Sequence, residues 1–177
     1  MVDVIKKDYI FSLFLYNKQK KTYNSNMKKK IRNLFYIFFP LLLGGIVGFI
    51  TKDSIDYTEL VRPPLSPTKI IFPIMWSILY LLMGIAYYSF KKNTEDNKVE
   101  SVLYYIQLFI NLLWSIIFFV LKWRFIAIIW ILILLIMIIN LAGLFKQRNR
   151  LSYYLFIPYI LWVMFATYLN IGIYILN

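Results

Sequence analysis

Three sets of residues sit at helical spacing inside otherwise apolar stretches. Gln107, Asn111 and Trp114 stand at i, i+4 and i+7, so they share one helix face. Trp76, Tyr80 and Tyr87 share another, and Trp162, Ala166 and Asn170 a third. The chemistry they offer is recognition rather than bond making. Indole faces stack on flat rings, and amides orient a few polar atoms. Three such faces meeting would line a cavity for a large, flat, apolar ligand. Absences exclude most other chemistry. There is no cysteine, so no disulfide, thiolate nucleophile or iron–sulfur cluster. There is no histidine, so no imidazole base and no usual haem or zinc ligand. A tetrapyrrole could enter by shape and stacking, with no imidazole to ligate its metal. The eight carboxylates all lie in the tail or between apolar stretches, which leaves no intramembrane proton relay. No catalytic or metal-binding residue is assigned.

The elements that must position these faces are membrane helices. The chain has 177 residues, 61% of them hydrophobic, too apolar for a soluble domain of this size. A bilayer core needs about 20 apolar residues in helical form. Five stretches qualify, at about 33–50, 70–90, 102–121, 125–145 and 153–176, and none contains Asp, Glu, Lys or Arg. The fold class is an all-α membrane protein, a five-transmembrane-helix bundle. Lys122, Trp123 and Arg124 form only a turn, so the third and fourth spans are antiparallel neighbours. Gly44 and Gly48 form a GxxxG spacing that admits a neighbouring helix closely. Pro158 should bend the fifth helix and free a carbonyl.

The polar groups have a second reading. Asn111, Asn140 and Asn170 can instead hydrogen-bond neighbouring helices, as amides in bundles often do. Trp76 and Trp162 can be packing residues. Trp123 and Trp130 read as interfacial or lipid-facing aromatics.

Residues 61–80, VRPPLSPTKIIFPIMWSILY, carry Pro63, Pro64, Pro67 and Pro73 ahead of Trp76 and Tyr80. Proline lacks an N–H and restricts its predecessor, so residues 61–67 should be a stiff, extended loop. Pro73 suits the first turn of a helix. The layout is that of a Pro-rich first loop capping a ligand cavity.

The net charge of +12 follows from loop asymmetry rather than nucleic-acid binding. Fifteen Lys and Arg lie before the first span and in the second and fourth loops, against five on the opposite face. This puts the N-terminus in the cytoplasm and the C-terminus outside, with the Pro-rich loop facing outward. The basic side can also touch anionic lipid. Residues 1–26 read as a poorly ordered extension before a transmembrane domain over 27–177. Met27, followed by three lysines, looks like a natural start of its own.

Residues 56–84 read DYTELVRPPLSPTKIIFPIMWSILYLLMG, 107–119 read QLFINLLWSIIFF and 158–177 read PYILWVMFATYLNIGIYILN. These three segments resemble the motifs of the TspO/MBR family, the tryptophan-rich sensory proteins of bacteria and the mitochondrial translocator protein or peripheral benzodiazepine receptor. The family's first loop runs roughly WYxxLxKPxxxPPxWxFxxxWxxLYxxMG. The resemblance covers about residues 33–177 and implies a five-helix bundle with a cavity closed by the first loop. By motif position, Trp76, Asn111 and Trp162 correspond to ligand-pocket residues. Tyr57, Pro67 and Ala166 correspond to loop and pocket-wall positions. With Trp114 from the third-span face, these seven are the candidate ligand-binding residues. The resemblance implies porphyrin-like or other planar hydrophobic ligands, and in animal members cholesterol and benzodiazepine-type drugs.

The chain departs from the family pattern. Asp56 replaces a loop Trp, Thr68 the second Pro of a pair, and Ile70 another Trp. Chemistry routed through loop tryptophans therefore loses two indoles. Ile171 stands at the Tyr position of the animal cholesterol motif, and no Lys or Arg follows Arg150. The third span has no Gly, which argues against a small-residue dimer there, although a homodimer stays open. The expected function is a membrane receptor or sensor for a planar tetrapyrrole-like ligand, in a bacterial cytoplasmic membrane. Two alternatives stand beside it: a light- and oxygen-dependent porphyrin-degrading enzyme, and a transporter of tetrapyrroles.

Overall fold

The computed structural model describes residues 2–54, 59–95 and 97–177, with the side chains of 2–15 and 53 left aside. Tyr57 and Asp56 of the first loop lie outside the described residues. The chain divides into two compact units, Met1–Phe35 and Tyr36–Asn177. Five helices, α1 (Val2–Thr51), α2 (Ile71–Asn93), α3 (Lys98–Ser115), α4 (Arg124–Arg148) and α5 (Arg150–Leu176), carry the architecture. All five hold stretches long and apolar enough to cross a membrane, and no strand occurs among the described residues.

In the first unit, residues 2–26 are helical. No Gly or Pro interrupts the chain before Pro40, and its Lys, Gln, Leu and Met are good helix formers. Side chains 16–32 are all exposed.

In the second unit α2 packs on α5, α5 on α4, and α4 on α3. The core is the inner stripe of each helix: Leu79, Met83 and Phe90, then Tyr104 and Leu108, Ile131 and Ile138, Phe156 and Val163. The outer stripes are as apolar as the inner ones. Phe109, Ile136 and Leu161 are each about 60% exposed, a surface that water would penalise and acyl chains accept. Glycine sets the approach of α1 to α2. A Cβ on Gly84 would meet the Ile37 carbonyl oxygen at 1.9 Å, and one on Gly44 would meet the Tyr80 ring at 2.1 Å. Of the GxxxG pair only Gly44 makes such a contact, because Gly48 has nothing within 4 Å.

The connections from α3 to α4 and from α4 to α5 are short. α3 widens into a π-type turn over Ile116–Val120, and Leu121 N–H donates to Ile116 O. Lys122, at φ 56°, reverses the chain, and Trp123 N–H returns to Ile117 O. Arg124 donates to Phe118 O and lies over its ring. At the opposite end, Asn149 alone links α4 to α5. Its Oδ1 accepts from Ser152 N–H at 3.1 Å as an N-cap, and its Nδ2 donates to Ser89 O of α2 at 3.1 Å. Arg148 pairs there with the buried Glu100 at 3.2 Å. α5 continues through Pro158 without a break in its helical run.

The first loop is not uniformly extended. Pro63–Ser66 close a tight turn, with Ser66 N–H on Pro63 O at 3.3 Å and Leu65 at φ 65°. Pro64 presets the first central position of such a turn, and the left-handed φ of Leu65 at the second makes it the type II form. A Leu there costs about 1–2 kcal/mol. Contacts to α5 hold it in place. Asn177 accepts from Val61 N–H and donates to Val61 O, both at 3.0 Å. Tyr168 donates to Pro64 O at 2.8 Å. Pro63 sits so close to Gly172 that a Cβ there would lie 2.6 Å from it.

Candidate functional site

α2 begins with Pro73 in its first turn, as the proline spacing predicts. This delivers Trp76 and Tyr80 one turn apart, stacked at 5.6 Å between centroids. Trp76 also meets Trp114 of α3 at 6.2 Å and the edge of Tyr159 of α5 at 6.4 Å. Behind the rings runs a chain of hydrogen bonds across three helices. Tyr80 OH donates to Asn111 Oδ1 at 2.7 Å, Asn111 Nδ2 donates to Tyr159 Oη at 3.0 Å, and Tyr159 OH donates to Gln107 Oε1 at 2.9 Å. Asn111, Tyr159 and Gln107 are at most 1% exposed. The predicted Gln107–Asn111 face is real, and both amides are engaged between helices.

On the α1 side of the same rings lies a cavity of about 530 Å³. That volume suits a small molecule, within the range of about 300–1,000 Å³. Its floor is Phe72, Trp76 and Tyr80 of α2 with Phe119, and Ser115 of α3 also borders it. Its far wall is the glycine face of α1, with Gly44, Gly45 and Gly48 beside Leu41 and Val47. A Cβ on Gly45 or Gly48 would enter open space. Lys52, Lys69 and Ile70 stand at the rim.

The expected site residues separate into groups. Trp76 lines the cavity. Trp114 lies behind it, stacked on Phe118 at 5.4 Å, and Asn111 belongs to the hydrogen-bond chain. Trp162 packs edge to face with Phe72 at 6.1 Å and is not among the residues that line the cavity. Ala166 is buried on α5 one turn further along. Pro67 is half-buried in the loop, where only Lys69 and Ile70 among the described residues border the cavity. Tyr57 is outside the described residues. Tyr159 was missed as the hub of the hydrogen bonds, although it shares a face with Trp162 and Ala166 at i+3 and i+7. The indole N–H groups of Trp114 and Trp162 and both polar atoms of the Asn170 amide have no partner among the described residues.

Two outer residues refine the sequence expectation. Trp130 is half-buried and donates to Ile110 O of α3 at 2.9 Å, so it also ties α4 to α3. Asn140 faces outward and satisfies a donor on Ile136 O of its own helix at 2.8 Å.

The TspO/MBR family model matches residues 36–176, which takes in every helix of the second unit. The chain belongs to the TspO/MBR family. It is 37% identical to the tryptophan-rich protein TspO of Chlorobaculum tepidum, over 85% of this chain and 99% of that protein. It is 33% identical to the protein of the same name in Archaeoglobus fulgidus, over 80% and 94%. It is 29% identical to the tryptophan-rich sensory protein of Cereibacter sphaeroides, over 70% and 77%. Membership and the five apolar helices make the chain an integral, multi-pass membrane protein. The family's aromatic signature in α2 is therefore found, in this member, at the floor of the cavity beside α1.

Proposed function

We propose that this protein is a membrane sensor that binds a porphyrin-like or other planar apolar ligand in the cavity between α1, α2 and the end of α3. One observation carries the reading: a cavity of about 530 Å³ whose floor is the stacked pair Trp76 and Tyr80. A flat ligand lying on the indole face gains stacking and apolar burial, and the glycine wall opposite leaves room for its thickness. The sensory names of relatives support the same role. The charge asymmetry supports a cytoplasmic N-terminus in a bacterial inner membrane, with the cavity rim outward.

Titration of the purified protein with protoporphyrin should quench tryptophan fluorescence saturably. Trp76→Phe with Trp162→Ala should weaken binding. Unchanged affinity in that double variant would remove both indoles from the site. Product analysis after illumination separates a binding protein from one that consumes its ligand.

A further inference from the structure

We infer that the outer face of α4 docks a second copy of this chain, with Asn140 of the two copies paired across the contact. The inference is independent of the cavity, which no residue of α4 lines. Four side-chain amides lie in the charge-free runs of α3, α4 and α5: Gln107, Asn111, Asn140 and Asn170. Three are buried, and Asn140 alone is exposed. It stands five residues inside the run 125–145, at hydrocarbon depth. Its Nδ2 donates to Ile136 O at 2.8 Å, and its Oδ1 accepts no bond among the described residues. Acyl chains offer no donor, so an outward amide at this depth calls for another helix.

The residues around it form a seam. Ile129, Ile133, Ile136, Asn140, Gly143 and Gln147 follow one another at steps of four and three, and all six are exposed. That is the a and d spacing of a left-handed coiled coil, in which a lone Asn at an a position fixes register and partner number. Gly143, one turn from Asn140, has nothing within 4 Å of its Cβ position, so a facing backbone can approach there. Depth chooses the partner. Copies inserted in one orientation meet about a two-fold axis along the membrane normal, so each residue near the axis faces its own counterpart. Asn140 therefore finds an amide at its own depth in a second copy. The amide is complementary to itself in charge, because the oxygen of one accepts from the Nδ2 of the other. The opposing reading is that the bond to Ile136 O satisfies Asn140 well enough for lipid to cover the face.

The test uses the full chain in liposomes. The chain has no cysteine, so single-cysteine variants report contacts directly. Oxidation of Ile136→Cys should give a disulfide-linked dimer. Phe109→Cys on α3 and Leu161→Cys on α5, whose native side chains are each 60% exposed, should stay monomeric. Förster transfer between donor- and acceptor-tagged chains should show saturable association. Asn140→Leu should weaken that association about tenfold, or about 1.4 kcal/mol. Asn140→Gln should restore most of it, and Gly143→Ile should weaken it by holding the copies apart. These positions face outward, so the unfolding midpoint should stay at the wild-type value, and the Ile136→Cys result stands apart from these variants. Equal cross-linking at all three cysteine positions, or linkage at Phe109→Cys or Leu161→Cys alone, overturns the assignment of the face. Unchanged association in Asn140→Leu overturns the role of the amide. No association of the wild type means that lipid covers α4, and overturns the inference as a whole.

Discussion

Tyr80 stands between two regions that use it in opposite ways. Its hydroxyl enters the closed hydrogen-bond chain of α2, α3 and α5, and its ring forms part of the floor of the open cavity against α1. The closed region is locked by directed bonds between residues with almost no exposure. In the open region α1 meets α2 through an edge contact of Tyr36 on Tyr87 at 5.5 Å and the close approaches at Gly44 and Gly84. The difference follows from the solvent. Between helices in lipid, apolar burial supplies little drive, so polar bonds and small-residue contacts decide which faces close. Where neither occurs, as beside Gly45 and Gly48, space is left, and that space can take a ligand.

The largest break in this contrast should come from Asn111→Leu. It removes the bonds from Tyr80 and to Tyr159 and strands the buried Tyr80 hydroxyl, while Tyr159 keeps its bond to Gln107. Bonds of this kind average about 0.6 kcal/mol in membrane proteins, up to about 1.7, so a loss of about 2 kcal/mol is expected by thermal unfolding in detergent. Porphyrin affinity should change less than about threefold, the limit of a residue outside the lining. A large loss of affinity at unchanged stability would instead make Asn111 a pocket residue, as the family motif implies.

Glycine gives a sharper pair. Gly44→Ala drives a methyl group into the Tyr80 ring and should cost about 1–2 kcal/mol as overpacking. Gly48→Ala, one helical turn along, meets nothing within 4 Å and should leave the unfolding midpoint unchanged. Gly48→Leu goes further and fills the cavity. It should lower porphyrin affinity about tenfold, or about 1.4 kcal/mol, with little effect on stability. Equal destabilisation by the two alanines would mean that α1 is packed alike at both positions, and the contrast would fail.

Much of this could be read in the sequence, but not the rotation of the helices. The spans declare themselves because runs such as 125–145 hold no charge, and the three motifs fix their order. The shared face of Gln107 and Asn111 follows from a period of 3.6 residues. Which helix that face meets does not. Spacing suggested that the faces of Trp76 and Trp162 meet at one cavity, but Trp162 packs against Phe72 and does not line the cavity beside Trp76. Tyr159 looks like one more aromatic beside a proline until its hydroxyl is seen between two amides. The cavity itself depends on α1, whose Gly44–Gly48 spacing signalled close packing and in fact packs at Gly44 alone.

The loop supplies the smallest test. Residues Val61, Pro63 and Pro64 are fastened to α5, away from the cavity side of α2, by Asn177 and Tyr168. These bonds lie at the exposed end of the bundle, where water offers replacements, so Asn177→Ala should cost only about 0.5–1 kcal/mol. Its local effect should be clearer than its global one. Amide exchange at Val61, whose N–H loses its acceptor, should accelerate while exchange in α2 stays slow. If porphyrin binding then holds, the cavity depends on the helix floor rather than on the tethered part of the loop. If binding collapses, the tether positions Lys69 and Ile70, and the loop acts as a lid although its anchored end lies over α5.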